Sequence, residues 1–238
     1  MSSSSSMVVQ EKAELLAGPV CTILVGSDKQ AFSVHEKLIC DSSPFFRAAL
    51  GGPWEEASEH IVKLPEEEPK IFSIYLHWVY YGKLAVLVDR AQLPTITGLE
   101  LQDRERRFSN EEYLQLLKAC VFADKILDGK FHDTIIRAVV ERILNKDASG
   151  YRRVPESTAT VWLFNNAPIS APICQLVIDE YVREGRGCWT GTPDVPTALP
   201  ITFFRVLAHT LMEKRKFTQS PLEPEKYFYA NSVLKRKR

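Results

Sequence analysis

His35, Cys40 and Asp41 are the residues whose types and spacing come closest to covalent chemistry. A cysteine attacks as a thiolate, which needs a base within hydrogen-bond reach and a partly exposed, electropositive setting. Cys40 instead follows Ile39 in a segment that is predicted to be an apolar helix. We therefore interpret His35 as a residue that orders a strand-to-helix turn, and the sequence predicts no catalytic residue.

Neither a metal site nor a phosphate site is indicated. No pair of cysteines has C-x-x-C spacing, and no two histidines lie four residues apart as zinc ligands on one helix do. The turns Gly26-Ser27-Asp28 and Gly51-Gly52-Pro53 lack the Lys-Ser/Thr and the third glycine of phosphate-binding loops. The sequence thus predicts no metal and no cofactor.

Bulk composition is that of an ordinary globular protein. The 238 residues are 45% hydrophobic and 25% charged, and the net charge of +0 favours neither nucleic acid nor acidic membranes as partners. Scattered cysteines indicate a reducing compartment. Because the chain has no secretory signal and no apolar run of about 20 residues, we expect a soluble intracellular protein of the cytoplasm or the nucleus.

The elements that must position these residues begin after a serine-rich N-terminus, residues 1–17, which is predicted to be disordered. Val20–Val25 and Ala31–Val34 flank a Gly-Ser-Asp-Lys turn and predict a β-hairpin. His60–Leu64 predicts a further strand. Short helices are predicted between these strands, at Lys37–Cys40 and Ser43–Leu50.

Longer helices follow. Pro69–Tyr81 carries an apolar stripe at helical spacing, and Gly82 ends it. Residues 85–108 show no sustained period and predict a long loop. Ser109 to Glu112 reads as a capping box that begins the next helix, and Gly129 separates this helix from a second one. Beyond about Lys146, prolines divide short helical segments, of which Ile173–Arg183 and Ile201–Lys216 are the clearest.

Residues 20–143 resemble a BTB/POZ domain, in the short form frequent in fungal proteins. Several motifs that occur in the family's order carry the resemblance. They are Phe32-Ser33-Val34-His35 with Leu38-Ile39-Cys40, Ser42 to Leu50, Trp54-Glu55-Glu56-Ala57, Ile61 to Pro65, Phe72 to Gly82, and Leu116-Leu117 with Ala123-Asp124-Lys125 and Phe131.

This resemblance implies an α/β (α+β) fold, in which a small β-sheet is flanked by helical hairpins. We assign the domain to residues 18–145, with the long loop 85–108 inside it, and a mostly helical extension to residues 146–238. The family role is protein–protein interaction, so the resemblance implies an interaction module and not an enzyme.

Trp54, Glu55 and Glu56 are similar to the hydrophobic-x-Glu element of BTB proteins that recruit a cullin-type ubiquitin ligase scaffold. The resemblance therefore implies an adaptor, with these residues as the partner-binding candidates. The alternative is that Trp54 caps the core and the glutamates are solvated. Val20 and Glu36 replace the acidic and basic residues that form the charged pocket of BTB repressors, which argues against corepressor binding. A homodimer through the Ser43–Leu50 region stays open.

The C-terminus is basic. Met212 to Arg238 holds eight Lys or Arg residues against Glu213, Glu223 and Glu225, so this segment carries +5 and the rest of the chain −5. Its last four residues, Lys235, Arg236, Lys237 and Arg238, are of the nuclear-import type. The alternatives are a nuclear regulatory protein that uses this cluster and a solvated tail. No helix with base-reading side chains accompanies the cluster, so DNA binding is not predicted.

Overall fold

The computed structural model describes residues 16–53, 58–91, 93–185 and 199–214. In these residues a three-stranded sheet has β1 (Val20–Val25) at its centre. β2 (Gln30–His35) pairs with β1 antiparallel, and β3 (Ile61–Leu64) pairs with it parallel. The predicted hairpin and the further strand are confirmed, and the alternating side chains of β1 enter the core.

Helices account for most of the remaining described chain. In chain order they are α1 (Glu36–Ser42), α2 (Pro44–Gly51), α3 (Pro69–Tyr81), α4 (Gly98–Lys125), α5 (Gly129–Leu144), α6 (Ser157–Asn166), α7 (Pro172–Glu184) and α8 (Ile201–Lys214). A small mixed sheet with helices packed around it and a helical extension after α5 confirm the predicted α/β fold class.

The long loop predicted over residues 85–108 is wrong in its second half. The chain enters α4 at Gly98, and the predicted capping box at Ser109 lies inside that helix. The first turns of α4 have no apolar stripe, and charged side chains stabilise them instead. Arg106 and Arg107 pair with Asp103 at helical spacing, and a hydrophobic periodicity cannot register that contribution.

Two buried carboxylates explain why this charged segment packs against the domain. Glu112 is fully buried and Glu105 is almost so. Arg90, from the segment before α4, lies 3.0 Å from Glu112 and 3.4 Å from Glu105, and Arg142 of α5 also pairs with Glu112. The Val88 N–H donates to Glu112 at 3.0 Å. We call these two carboxylates and two guanidinium groups the buried charge cluster; it joins α4 to α5 and to the preceding segment.

An aromatic core holds the sheet and the helices together. Tyr75 lies at its centre, with ring centroids 4.9 Å from Phe131 of α5, 5.7 Å from Phe122 of α4 and 6.3 Å from Phe46 of α2. Since each ring comes from a different helix, burial of this one cluster fixes α2, α4 and α5 against α3.

Asp128 supplies the turn between α4 and α5. Its carboxylate accepts from the Phe131 N–H at 3.0 Å as the N-cap of α5 and from the Tyr75 hydroxyl at 3.2 Å. Burial raises the pKa of this carboxyl above the ordinary aspartate value, although both hydrogen bonds act in the opposite direction. The helical hairpin that Gly129 predicted is confirmed, with Asp128 as its unforeseen cap.

The extension after α5 packs through α6 on α4. The Lys118 ammonium lies 5.5 Å from the ring centroid of Trp162, and the Tyr113 hydroxyl donates to the Arg153 carbonyl at 2.7 Å. Phe203 of α8 is buried with its ring 4.9 Å from Tyr181 of α7. The extension thus has an apolar core of its own, continuous with the domain.

None of the described helices is both long enough and apolar enough to cross a bilayer.

Replacing Arg142 by alanine leaves Glu112 buried beside Arg90 alone. We expect the free energy of unfolding to fall by about 2 to 3 kcal/mol, because removal of one partner strands a buried charge. Arg137→Ala, at an exposed position of the same helix, should cost less than about 0.5 kcal/mol. Urea unfolding of both variants measures the difference, and equal effects would contradict a structural role for the buried charge cluster.

Replacing Asp128 by asparagine should change how stability depends on pH. A raised native pKa means that, between the ordinary and the raised value, the folded protein holds a proton that the unfolded chain releases, so this carboxyl lowers stability as pH rises. Asparagine keeps the cap but does not ionise. The stability advantage of the wild type over Asp128→Asn should therefore shrink from pH 4 to pH 7 in urea titrations. An advantage that grows with pH would show the shift to be in the other direction.

Candidate partner-binding surface

The partner-binding candidates occupy the connection between α2 and β3. Trp54, Glu55 and Glu56 themselves lie outside the described residues, as do Lys235, Arg236, Lys237 and Arg238. The structure therefore defines what flanks the first group: α2 delivers the chain to Pro53, and the chain is described again from Ser58 onward.

The start of α2 is fixed by Ser43. Its buried hydroxyl accepts from the Phe46 N–H at 3.3 Å as the N-cap and donates to the Ile126 carbonyl at 2.6 Å. This second bond joins α2 to the turn between α4 and α5. With Phe46 and Leu50 also buried, the position of α2 is set by contacts with three other parts of the domain.

The opposite face of α2 is open to solvent. Arg47 and Ala48 are exposed there, and Phe45 is partly buried. The Arg47 guanidinium donates to the Cys40 carbonyl at 3.0 Å, which holds this long side chain against the end of α1. The solvent-facing side of α2 therefore presents Ala48, part of Phe45 and a restrained Arg47 side chain.

The chain beyond Trp54 is also held. His60 has a positive φ of 54°, an unusual conformation for a residue with a side chain. Its carbonyl accepts from the Thr22 N–H at 2.8 Å, and its ring lies 2.9 Å from the Glu36 carboxylate. The chain is therefore anchored on both sides of residues 54–57, at α2 and at His60.

His35 has the structural role that the sequence indicated. Its backbone N–H donates to the Tyr80 hydroxyl at 3.1 Å, and its Nδ1 lies 2.8 Å from the same oxygen. The imidazole thus ties the end of β2 to α3.

The thiols of the described residues are not activated. Burial, followed by the charges of Glu36 and Asp41, raises the pKa of Cys40 above the usual thiol value. Burial likewise raises the pKa of Cys21 to about 11 and that of Cys120 to about 12. All remain protonated at neutral pH and behave as small apolar side chains. Within the described ranges no cluster of His, Cys, Asp and Glu is arranged to hold a metal ion.

Sequence reasoning missed one surface. It followed the buried stripe of α5 and overlooked a second stripe at Ile136, Val140 and Leu144, which is only partly covered in the fold. The helical spacing of these three residues was the available signal. They line a groove on the side of the molecule where α5 faces α7.

A comparison with protein families agrees with this architecture. The model described as the BTB/POZ domain matches residues 15–102, an interval that includes the whole sheet, α1 to α3, residues 54–57 and the beginning of α4. Domains of this family bind other proteins and often form dimers. Residues 15–102 therefore form a BTB/POZ domain, and this domain is a protein–protein interaction module.

Proposed function

We propose that this protein is an adaptor that binds a cullin-type ubiquitin ligase scaffold through Trp54, Glu55 and Glu56. The observation that carries the proposal is the double anchoring of α2, through the Ser43 hydroxyl and the buried Phe46. A short binding element gains affinity when its frame is rigid, because less conformational entropy is lost on association.

The chemistry of the three residues suits such an interface. A tryptophan offers a large apolar surface, and tryptophans are enriched among the residues that dominate binding energy. Two adjacent carboxylates favour a basic partner surface and give the contact an orientation. On the exposed face of α2, Ala48 is small and the Arg47 side chain is held against the end of α1, which leaves room for a partner helix to approach.

The extension provides a separate surface for a second partner. α7 and α8 pack on each other around Phe203, and the extension contacts the domain through α6 on α4, away from α2. We propose that the scaffold binds at Trp54, Glu55 and Glu56 and that the protein to be modified binds the extension.

The proposal predicts that two substitutions weaken scaffold binding. Trp54→Ala should raise the Kd by roughly thirtyfold, about 2 kcal/mol, and Glu56→Gln by a smaller factor. Isothermal titration of the full chain against the N-terminal domain of a cullin scaffold measures both. The matched control is Leu99→Ala with Glu100→Ala, an exposed apolar-acidic pair at the start of α4, which should leave the Kd unchanged.

Thermal unfolding of the same variants distinguishes binding from folding. If Trp54 caps the core, Trp54→Ala will lower the melting temperature, whereas Glu56→Gln will leave both stability and binding unchanged. That pattern, or no binding by the unsubstituted chain, would overturn the adaptor proposal.

A second proposal rests on the basic C-terminus. The eight Lys or Arg residues from Met212 onward give this segment a charge of +5, and the final four form a continuous cluster. A nuclear regulatory protein would use Lys235, Arg236, Lys237 and Arg238 to bind an import receptor, whose acidic surface such a cluster fits.

Nuclear import predicts a simple change of distribution. Alanine at Lys235, Arg236, Lys237 and Arg238 should reduce the nuclear fraction of a fluorescent fusion, measured by microscopy, because four positive charges are lost. Deletion of Ser2–Ser5, of the same length at the other end, serves as the control. An unchanged nuclear fraction in the alanine variant would rule out the import role.

A further inference from the structure

α5 carries more apolar surface than its packing uses. Its buried stripe ends at Val139 and Ile143, and beside it Ile136, Val140 and Leu144 repeat at the same helical spacing. Leu144 is 47% exposed. Ile136 and Val140 are half-buried. The apolar surface that all three leave in contact with water is unfavourable, because moving an apolar side chain out of water lowers the free energy.

The second stripe borders a groove that continues onto α7. An open, shallow surface lies along α5, and a concavity of about 170 Å³ adjoins it and includes Leu176 of α7. The two share Val140 and Leu144. We call this surface the α5–α7 groove. Glu141 and Asp179 place negative charge at its rim, together with arginines on both helices.

The described chain ends at this groove. The ammonium of Lys214, the last residue of α8, lies 2.7 Å from the carboxylate of Asp179 on the rim. A further 24 residues follow Lys214 in the sequence. At about 3.3 Å per extended residue, these residues are more than long enough to run along α5 and α7.

The composition of that segment complements the groove. Residues 215–238 contain the consecutive aromatic residues Tyr227, Phe228 and Tyr229, followed by Val233 and Leu234. Seven Lys or Arg residues against two Glu give the segment a charge of +5. The aromatic and aliphatic side chains of this segment match the apolar stripe of α5.

We propose that Tyr227–Leu234 docks in cis into the α5–α7 groove of its own chain, with the Phe228 ring against Val140 and Leu144. The short connection from Lys214 gives the segment a high effective concentration at the groove, so modest contacts are sufficient. Docking places the cluster from Lys235 to Arg238 next to the groove and so makes the exposure of this cluster depend on docking. The inference does not require any binding at Trp54.

Photo-crosslinking in the full chain tests this contact. The amino acid p-benzoylphenylalanine replaces Phe228, and irradiation of an equal mixture of ¹⁴N- and ¹⁵N-labelled protein is followed by mass spectrometry. The proposal predicts crosslinks to the 136–145 or 176–183 peptides within chains of a single label. Crosslinks between labels would show that a second copy occupies the groove, and crosslinks confined to other peptides would exclude the groove as the site. Either result overturns the proposal.

A groove substitution completes the experiment. Leu144→Lys should reduce the crosslink yield at these peptides by at least about threefold, since a solvated charge replaces an apolar contact. A lysine suits the last turn of α5, so the fold is retained. Leu87→Lys, at a position 70% exposed outside the groove, is the matched control. A yield that the two variants lower equally would contradict docking at the α5–α7 groove.

Discussion

Burial of the aromatic cluster around Tyr75 is the constraint on which the domain depends. The rings of Phe46, Phe122 and Phe131 reach it from α2, α4 and α5, so these helices cannot shift independently of α3. The Ser43 hydroxyl reinforces the arrangement through its bond to the Ile126 carbonyl. These internal contacts fix the position of α2 and of the surface that α2 exposes. This arrangement is consistent with a module that binds other proteins.

The sequence predicted those parts of the fold in which one helix or strand buries one stripe. Pro69–Tyr81 and the helix after Gly129 have such stripes, and both form where expected. The first turns of α4 were missed because charged pairs stabilise them and because the partner of Glu105 and Glu112, Arg90, lies in a separate segment. A pairing between distant charges leaves no periodic signal in either segment.

The candidate site was predictable only as a location. The order of motifs placed Trp54, Glu55 and Glu56 after α2, yet nothing local in the sequence revealed that Ser43 and His60 hold the chain on the two sides of this segment. The α5–α7 groove escaped notice because its stripe lies next to a stronger one, and which of two adjacent stripes is buried depends on how α5 packs against α4. The anchoring by Ser43 and His60 and the exposure of the second α5 stripe both depend on tertiary contacts, which a single sequence does not reveal.

Radical footprinting of the full chain, with and without the N-terminal domain of a cullin scaffold, tests the central claim most directly. Oxidation of each side chain by hydroxyl radicals reports its exposure without any substitution. The account predicts that the scaffold protects Trp54 and Phe45 and leaves the oxidation of Tyr151, an exposed residue beyond α5, unchanged. Protection that spares Trp54 and Phe45 and falls on other residues would contradict the account, because binding would then use a surface that α2 does not position.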